Sequence, residues 1–291
     1  MTRTLYVSDL DGTLLGPDAR LSAFTRRTVE ALIADGELFA VATARSRQSL
    51  LKRAPALRQT GPAVVYGGAF VVDLRTGRNL VEQTLAPEAV DGILAVLGRL
   101  GVPALVYSAT PGGPGVAPAP GLDDTVSWVA GDESPGIRWY LDDRGADPRF
   151  RPVGHPGELP RYGTFSIVAL GPLAELEPVA RILRSDLGAD VVVSLQEETY
   201  LEGMYWLDLA APGATKGVGV RTLAEIYDAD RIVCFGDNLN DLDMFAVADE
   251  AYAVENAHPE VLAAATGVIG SNADDGVARW LAGHARLERT A

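Results

Sequence analysis

Short apolar runs alternate with helix-like stretches at both ends of the chain, and this alternation most narrows the folds open to it. Residues 5–8, 38–43 and 63–66 read as strands; a helix runs from Ser22 to about Asp35, and a shorter one from Ser46 toward Pro55. Residues 70–73 and 80–83 read as a hairpin around Arg75-Thr76-Gly77. Beyond residue 210 the pattern resumes: a helix from Lys216, a strand at 232–235, a helix from Leu239, a strand at 251–254, and helices near Pro259 and Asp275. Strands alternating with helices imply parallel pairing, and such sheets bind ligands beyond the carboxyl ends of their strands. The middle of the chain differs. It reads as helix 87–100, strand 104–108, a Pro/Gly-rich loop at 111–121, short strands at 125–129 and 137–142, strand 164–170, helix 173–187, and strands 190–195 and 204–209. The expected fold is therefore α/β: a Rossmann-like parallel-sheet core split between residues 1–83 and 210–291, with a second α/β domain inserted at 84–209.

Length and charge set further limits. The chain has 291 residues, which suits two domains, and 47% of them are apolar, enough to fill two cores. A formal charge of −14, with no block of Lys or Arg, argues against a nucleic-acid groove or an anionic membrane surface. No stretch is long and apolar enough to span a membrane, and Met1-Thr2-Arg3-Thr4 leads straight into a strand, so the cytoplasm is the expected location. No feature calls for an obligate protein partner. Any anion site in so acidic a chain must be made locally, from a metal ion, a lysine or arginine, and backbone N–H groups. The one cysteine, Cys234, lies in an apolar run without a histidine beside it and reads as a buried core thiol.

Four segments carry chemistry. Val7-Ser8-Asp9-Leu10-Asp11-Gly12-Thr13-Leu14 places two carboxylates two residues apart where the first strand ends. In extended chain such residues share a face about 7 Å apart, and Gly12 lets the backbone turn behind them. Paired acids repel unless a cation joins them; a hard divalent ion such as Mg²⁺ takes oxygen ligands and leaves room for a phosphate. Phe235-Gly236-Asp237-Asn238-Leu239-Asn240-Asp241 repeats the device. If the two strands are neighbours, Asp237 and Asp241 meet Asp9 and Asp11; the plainer reading is an N-capped acidic turn. Val41-Ala42-Thr43-Ala44-Arg45 empties a strand into a hydroxyl and a cation before a Ser46-capped helix, which suits a phosphate oxygen or simply a solvated loop. Pro212-Gly213-Ala214-Thr215-Lys216-Gly217 delivers a lysine to the start of a helix, where the dipole disfavours a cation unless an anion lies near.

Competing chemistries lack support. His155, His258 and His284 are scattered without metal-ligand spacing, and no serine sits in a Gly-x-Ser-x-Gly elbow. Gly67-Gly68 lacks the spacing of a phosphate-cradling P-loop, and no G-x-G-x-x-G follows the first strand.

The order DLDGT, ATAR, lysine turn and GDNLND, with the tail Tyr252-Ala253-Val254-Glu255-Asn256-Ala257-His258-Pro259-Glu260, Ser271-Asn272 and Asp275-Gly276-Val277, resembles the haloacid dehalogenase superfamily. The likeness is to its Cof-type (class IIB) phosphatases, whose α/β cap of the C2 type is inserted between the second and third motifs. That resemblance implies Asp9 as the nucleophile, and Asp11 as the acid that protonates the leaving alkoxide and then activates water. It implies Mg²⁺ held by the Asp9 carboxylate, the Asp11 backbone carbonyl and Asp237, with Asp241 close by or acting through water. It also implies Thr43, the backbone at Leu10 and Ala44, Lys216 and Asn240 around the phosphoryl oxygens, with Arg45 in the same substrate-binding set.

The chain departs from the pattern twice, with Gly67-Gly68-Ala69 in place of Asn-Gly-Ala and Thr43-Ala44-Arg45 in place of Thr-Gly-Arg. Neither change removes a catalytic group, although losing the Asn side chain weakens substrate analogy. Specificity is expected in the inserted domain, where Trp128, Trp139, Tyr140 and Tyr200 either stack on substrate or pack the domain, and where the 111–121 loop is a lid or a connection. The substrate expected is a small-molecule phosphate ester, a sugar phosphate first. A nucleotide or cofactor phosphate such as a flavin or pyridoxal precursor, a phosphotransferase, and last a non-enzymatic metabolite-binding module stand as alternatives.

Overall fold

Strands from opposite ends of the chain meet at the centre of one sheet. The computed structural model describes residues 2–109, 124–198 and 201–287, the last three as backbone only. They divide into two compact units, Met1–Glu82 with Gly213–Ala291, and Gln83–Pro212.

In the first stretch of chain come β1 (Thr4–Ser8), α1 (Ala23–Ala34), β2 (Leu38–Val41), α2 (Arg47–Arg53), β3 (Pro62–Val65), β4 (Phe70–Asp73) and β5 (Asn79–Glu82). Both helices start where a serine can satisfy an orphan amide. Ser22 Oγ accepts from Thr25 N–H at 2.9 Å and Ser46 Oγ from Ser49 N–H at 3.1 Å. The inserted unit then runs α3 (Pro87–Leu100), β6 (Leu105–Ser108), β7 (Thr125–Val129), α4 (Pro135–Arg144), β8 (Phe150–Val153), β9 (Thr164–Pro172), α5 (Leu173–Leu187), β10 (Val192–Glu197) and β11 (Met204–Ala210). The chain closes with α6 (Lys216–Tyr227), β12 (Arg231–Gly236), α7 (Leu242–Phe245), β13 (Glu250–Val254), α8 (Pro259–Ala264), β14 (Gly267–Ile269) and α9 (Gly276–Leu287).

The first unit holds a five-stranded sheet in the order β14-β13-β12-β1-β2, every pair parallel. A parallel sheet covered on both faces buries its strands along their length, and β1 fits this: all five of its residues are buried, with Leu5, Tyr6 and Val7 at its centre. Burying a side chain such as Leu5 or Val7 contributes about 1.5–3 kcal/mol relative to leaving it in water. β3, β4 and β5 form a separate antiparallel sheet in the same unit. Cys234, in β12, is fully buried, and burial pushes its thiol well above the usual range, so it packs as an apolar residue.

The inserted unit is a six-stranded sheet in the order β10-β11-β9-β6-β7-β8, antiparallel except for β7 beside β8. That parallel pair corrects one expectation. Residues 137–142, read as a strand, lie in helix α4, because a parallel neighbour can be reached only by a crossover. The local signals agree: Ser134 Oγ accepts from Ile137 N–H at 3.1 Å and Pro135 occupies the first turn. β8 and β14 carried no strand signal. β8 contains Pro152 and β14 has only three residues, and both are sheet edges, where proline and brevity are tolerated. Trp128 and Tyr140 are buried in packing: Trp128 meets Phe150 at 5.4 Å between ring centroids, Tyr140 meets Trp206 at 5.7 Å, and the Tyr107 hydroxyl donates to the Tyr140 hydroxyl at 2.7 Å. Trp139 is half-buried, and the 111–121 loop and Tyr200 lie outside the described residues. Among the described residues no helix is long and apolar enough to cross a membrane.

Candidate active site

Register along the parallel sheet fixes what meets at its carboxyl edge. Ser8 of β1 pairs with Phe235 of β12 on one side and Val41 of β2 on the other, so the residues following all three strands emerge together. Asp9 N–H donates to Phe235 O at 2.9 Å and Ala42 N–H to Ser8 O at 3.0 Å, carrying the ladder one step past the strand ends. This places Asp9, Thr43 and Asp237 at one edge, as the alternation of elements predicts.

Immediately after Asp9 the chain abandons extended geometry for a single wide helical turn, Leu10–Leu14. The expected alternation that would set Asp9 and Asp11 on one face therefore does not operate, and the two side chains part. Gly12 sits in this turn at φ +81°, and an added Cβ would drive into the Asp237 carboxylate. Only glycine satisfies both demands. Thr13 Oγ1 donates to Asp237 Oδ1 at 2.7 Å, and Asn256 Nδ2 to Gly12 O at 2.8 Å. Thr13 and Asn256 were present in the sequence motifs, but nothing in their local pattern announced these contacts 224 and 244 residues away.

The Asp9 side has three carboxylates and one cation. Lys216, 2% exposed, donates from Nζ to Asp9 Oδ1 at 2.7 Å, to Asp241 Oδ1 at 2.6 Å and to Asn240 Oδ1 at 3.3 Å. Its awkward place in the first turn of α6 is thereby explained, since two acids face it. Burial alone would lower the lysine's pKa, but Asp9 and Asp241 outweigh burial and hold it charged, above the usual range. Asp243 steadies this turn by accepting from Gly217 N–H at 2.9 Å. Gly68, at φ +115°, lies against the Thr215 backbone with no room for a Cβ, which brings the Gly67–Gly68 turn up to the start of α6.

Asp9, Asp237 and Asp241 each offer an oxygen, and these lie within 4.8 Å of one another. They are not equivalent. Asp241, fully buried, is saturated: Oδ1 takes Lys216, and Oδ2 takes the N–H groups of Asp237 and Asn238 at 2.9 and 3.0 Å. Asp9 Oδ2 and Asp237 Oδ2 accept from no group among the described residues. Burial, with Asp241 and Asp237 nearby, pushes the Asp9 carboxyl up to about 8 against the pull of Lys216. Burial raises Asp237 as well, against its bond from Thr13. The site therefore holds more negative charge than one lysine neutralises, and its unclaimed donors are hard carboxylate oxygens. That donor set fits a divalent cation such as Mg²⁺ between Asp9 and Asp237, with Asp241 orienting the loop and the lysine.

Asp11 stands apart from this cluster. Its carboxylate is half-exposed and gripped by Arg45, Nε to Oδ2 at 2.6 Å and Nη2 to Oδ1 at 2.7 Å, while Arg45 Nη1 donates to Ser49 Oγ at 2.9 Å. The four-acid cluster expected from sequence is thus three acids, with the Asp11 side chain held by Arg45 instead. Thr43 is buried, and its hydroxyl oxygen accepts from Arg45 N–H at 3.1 Å; Leu10 is fully buried, while Ala44 and Asn240 are exposed.

The sequence model of the haloacid dehalogenase-like hydrolases matches residues 6–111 and 161–281. The chain belongs to this family. The hydrolase is 27% identical over 282 residues, 95% of its length and 96% of the relative's, to YitU of Bacillus subtilis (strain 168), a 5-amino-6-(5-phospho-D-ribitylamino)uracil phosphatase. It is 23% identical over 297 residues, 98% of its length and 99% of the relative's, to the pyridoxal phosphate phosphatase YbhA of Escherichia coli (strain K12). Among solved structures, a haloacid dehalogenase-like hydrolase from Bacteroides thetaiotaomicron superposes with a TM-score of 0.75 at 22% identity, over 96% of this chain and 98% of that one, which establishes the shared fold. With phosphatases along nearly its whole length, this member of the family is a phosphomonoester hydrolase.

Proposed function

We propose that this hydrolase releases phosphate from small soluble phosphomonoesters through an aspartyl-phosphate on Asp9, with Mg²⁺ as its metal and sugar phosphates as the first substrate class. The observation that carries the reading is the buried cluster of Asp9, Asp237, Asp241 and Lys216 at the end of β1 and β12. Asp9 and Asp237 would hold the ion, which would neutralise phosphoryl charge that the acidic chain otherwise repels. The Asp9 carboxylate attacks phosphorus; Lys216 and Asn240, with Thr43 and the N–H groups of Leu10 and Ala44, hold the phosphoryl oxygens. Asp11 gives a proton to the departing alkoxide oxygen, then takes one from the water that cleaves the acyl phosphate, returning Asp9 and releasing inorganic phosphate. Arg45, placed by the sequence among substrate-binding groups, holds Asp11 in orientation between these steps.

A second substrate class has its own support. The relatives named above are phosphatases of 5-amino-6-(5-phospho-D-ribitylamino)uracil and of pyridoxal phosphate, which favours the phosphate of a heterocyclic cofactor or its precursor over a plain sugar phosphate. Phosphate release from a panel of sugar, nucleotide and cofactor monophosphates, with and without Mg²⁺ and with Asp9→Asn as blank, tests both. Mg²⁺-dependent release absent from the mutant is expected, and the preferred ester assigns the class. Release that persists in Asp9→Asn, or none from folded, Mg²⁺-supplied protein, overturns the proposal.

A further inference from the structure

Away from the carboxylate cluster, the first unit contains a cavity of about 520 Å³ between the start of α1 and the end of α2. Its volume falls within the range of small-molecule sites, roughly 300–1,000 Å³. Its lining is unusual for this protein. Acidic residues outnumber Lys and Arg by 39 to 25 over the whole chain, yet the cavity is lined by Arg20, Arg26, Lys52 and Arg53 and by no carboxylate. Leu21 and Ala54 are among the apolar groups beside them.

Helix electrostatics accounts for only half of this. Lys52 and Arg53 occupy the last turn of α2, where a cation complements the helix dipole. Arg20 and Arg26 flank the start of α1, where a cation opposes it. Arg26 reaches Glu30 at 3.3 Å, a pair about half-exposed at both ends and therefore weak, and the side chain of Asp18 is turned to the Arg20 backbone N–H at 3.1 Å. Four solvent-exposed cations lining one cavity, with no acid in the lining, make a local excess of positive charge that an anion would neutralise. Three of them are arginines, whose planar forks match phosphate oxygens two at a time.

We propose that this cavity is a binding site for a small polyanion, a molecule carrying two or more phosphate groups, separate from the site where phosphate esters are cleaved. The site is independent of the catalytic reading, since none of its four cations belongs to the proposed machinery.

Inorganic tripolyphosphate is the probe. Titration calorimetry on the full chain in metal-free buffer is expected to show saturable binding that weakens as salt is raised. Lys52→Ala with Arg53→Ala is expected to weaken it at least about tenfold, the loss of two charge-assisted contacts, while thermal melting and turnover of the preferred ester stay unchanged. Arg20→Ala, on the opposite wall, is expected to weaken it as well, which guards against a local effect at the end of α2. Absence of saturable binding to the wild type, or an affinity unchanged in both variants because the probe sits in the catalytic site, overturns the proposal.

Discussion

Asp9 and Asp11 are two residues apart and each meets a basic side chain, yet their surroundings give them opposite characters. Asp9 is buried, shares Lys216 with Asp241, and is driven toward protonation by burial and by its acidic neighbours. Asp11 is half-exposed and has Arg45 to itself through two parallel bonds. The first arrangement concentrates charge where water cannot screen it; the second leaves the carboxylate within reach of solvent. One wide turn thus divides a pair of identical residues into a buried acid crowded by other carboxylates and a half-exposed one paired with Arg45.

The sharpest way to break this comparison is to neutralise each acid in turn. Asp9→Asn is expected to abolish phosphate release, by about 10⁴-fold or more, as befits a lost nucleophile, while the metal-free mutant melts no lower than wild type because the crowded Asp9 carboxyl already favours its neutral form there and the amide nearly matches its shape. Asp11→Asn is expected to slow release by about 10²–10⁴-fold, the range for a lost general acid, with stability altered by less than about 1 kcal/mol because its ion pair is half-exposed. Steady-state rates together with denaturant melts check both, and an Asp9→Asn protein clearly less stable than wild type, or an Asp11→Asn protein as inactive as Asp9→Asn, would contradict the contrast.

Removing the shared cation is the next largest effect. Lys216→Met leaves Asp9 and Asp241 buried without their partner and is expected to destabilise the metal-free protein by about 3–5 kcal/mol, read from urea unfolding. Arg45→Ala, by the same measurement, is expected to cost less than about 1 kcal/mol.

The smallest effect is a dependence on pH. Native Asp9 keeps a proton up to about 8, whereas the unfolded chain has lost it near 3.8. Between these values the native state binds more protons, so stability of the metal-free protein falls as pH rises. Mg²⁺, if bound as proposed, is expected to take the proton's place and flatten that fall. Melting curves at pH 5 and pH 8, with and without MgCl₂, check the sign, and a metal-free melting temperature that climbs across this window would refute it.

Much of the site was legible because it lies where strands stop. Apolar runs ending in Asp9, Thr43 and Asp237 announce a parallel sheet edge, and Lys216 at a helix start asks for an anion that the fold supplies. The separation of Asp11 from the cluster was not legible, since it depends on the backbone of Leu10–Leu14 leaving the extended state and on Arg45 being within reach. Nor was the satisfied state of Asp241, which follows from two backbone amides of its own turn. In the inserted unit, Ile137, Trp139 and Leu141 alternate with more polar neighbours as in a strand; Ser134 and Pro135 were the better guide, because caps report where a helix begins while short periodicities are ambiguous.

The placement of β1 between β2 and β12 has a consequence in time. Its contacts with β2 span a few dozen residues, but its other edge waits for residues 231–236, beyond the whole of the contiguous unit 83–212. A chain emerging from the ribosome can complete the inserted unit first, while β1 still presents an unpaired edge. Asp9 meets Lys216 and Asp237 only after that long closure, so the carboxylate cluster forms only once the inserted unit has been made.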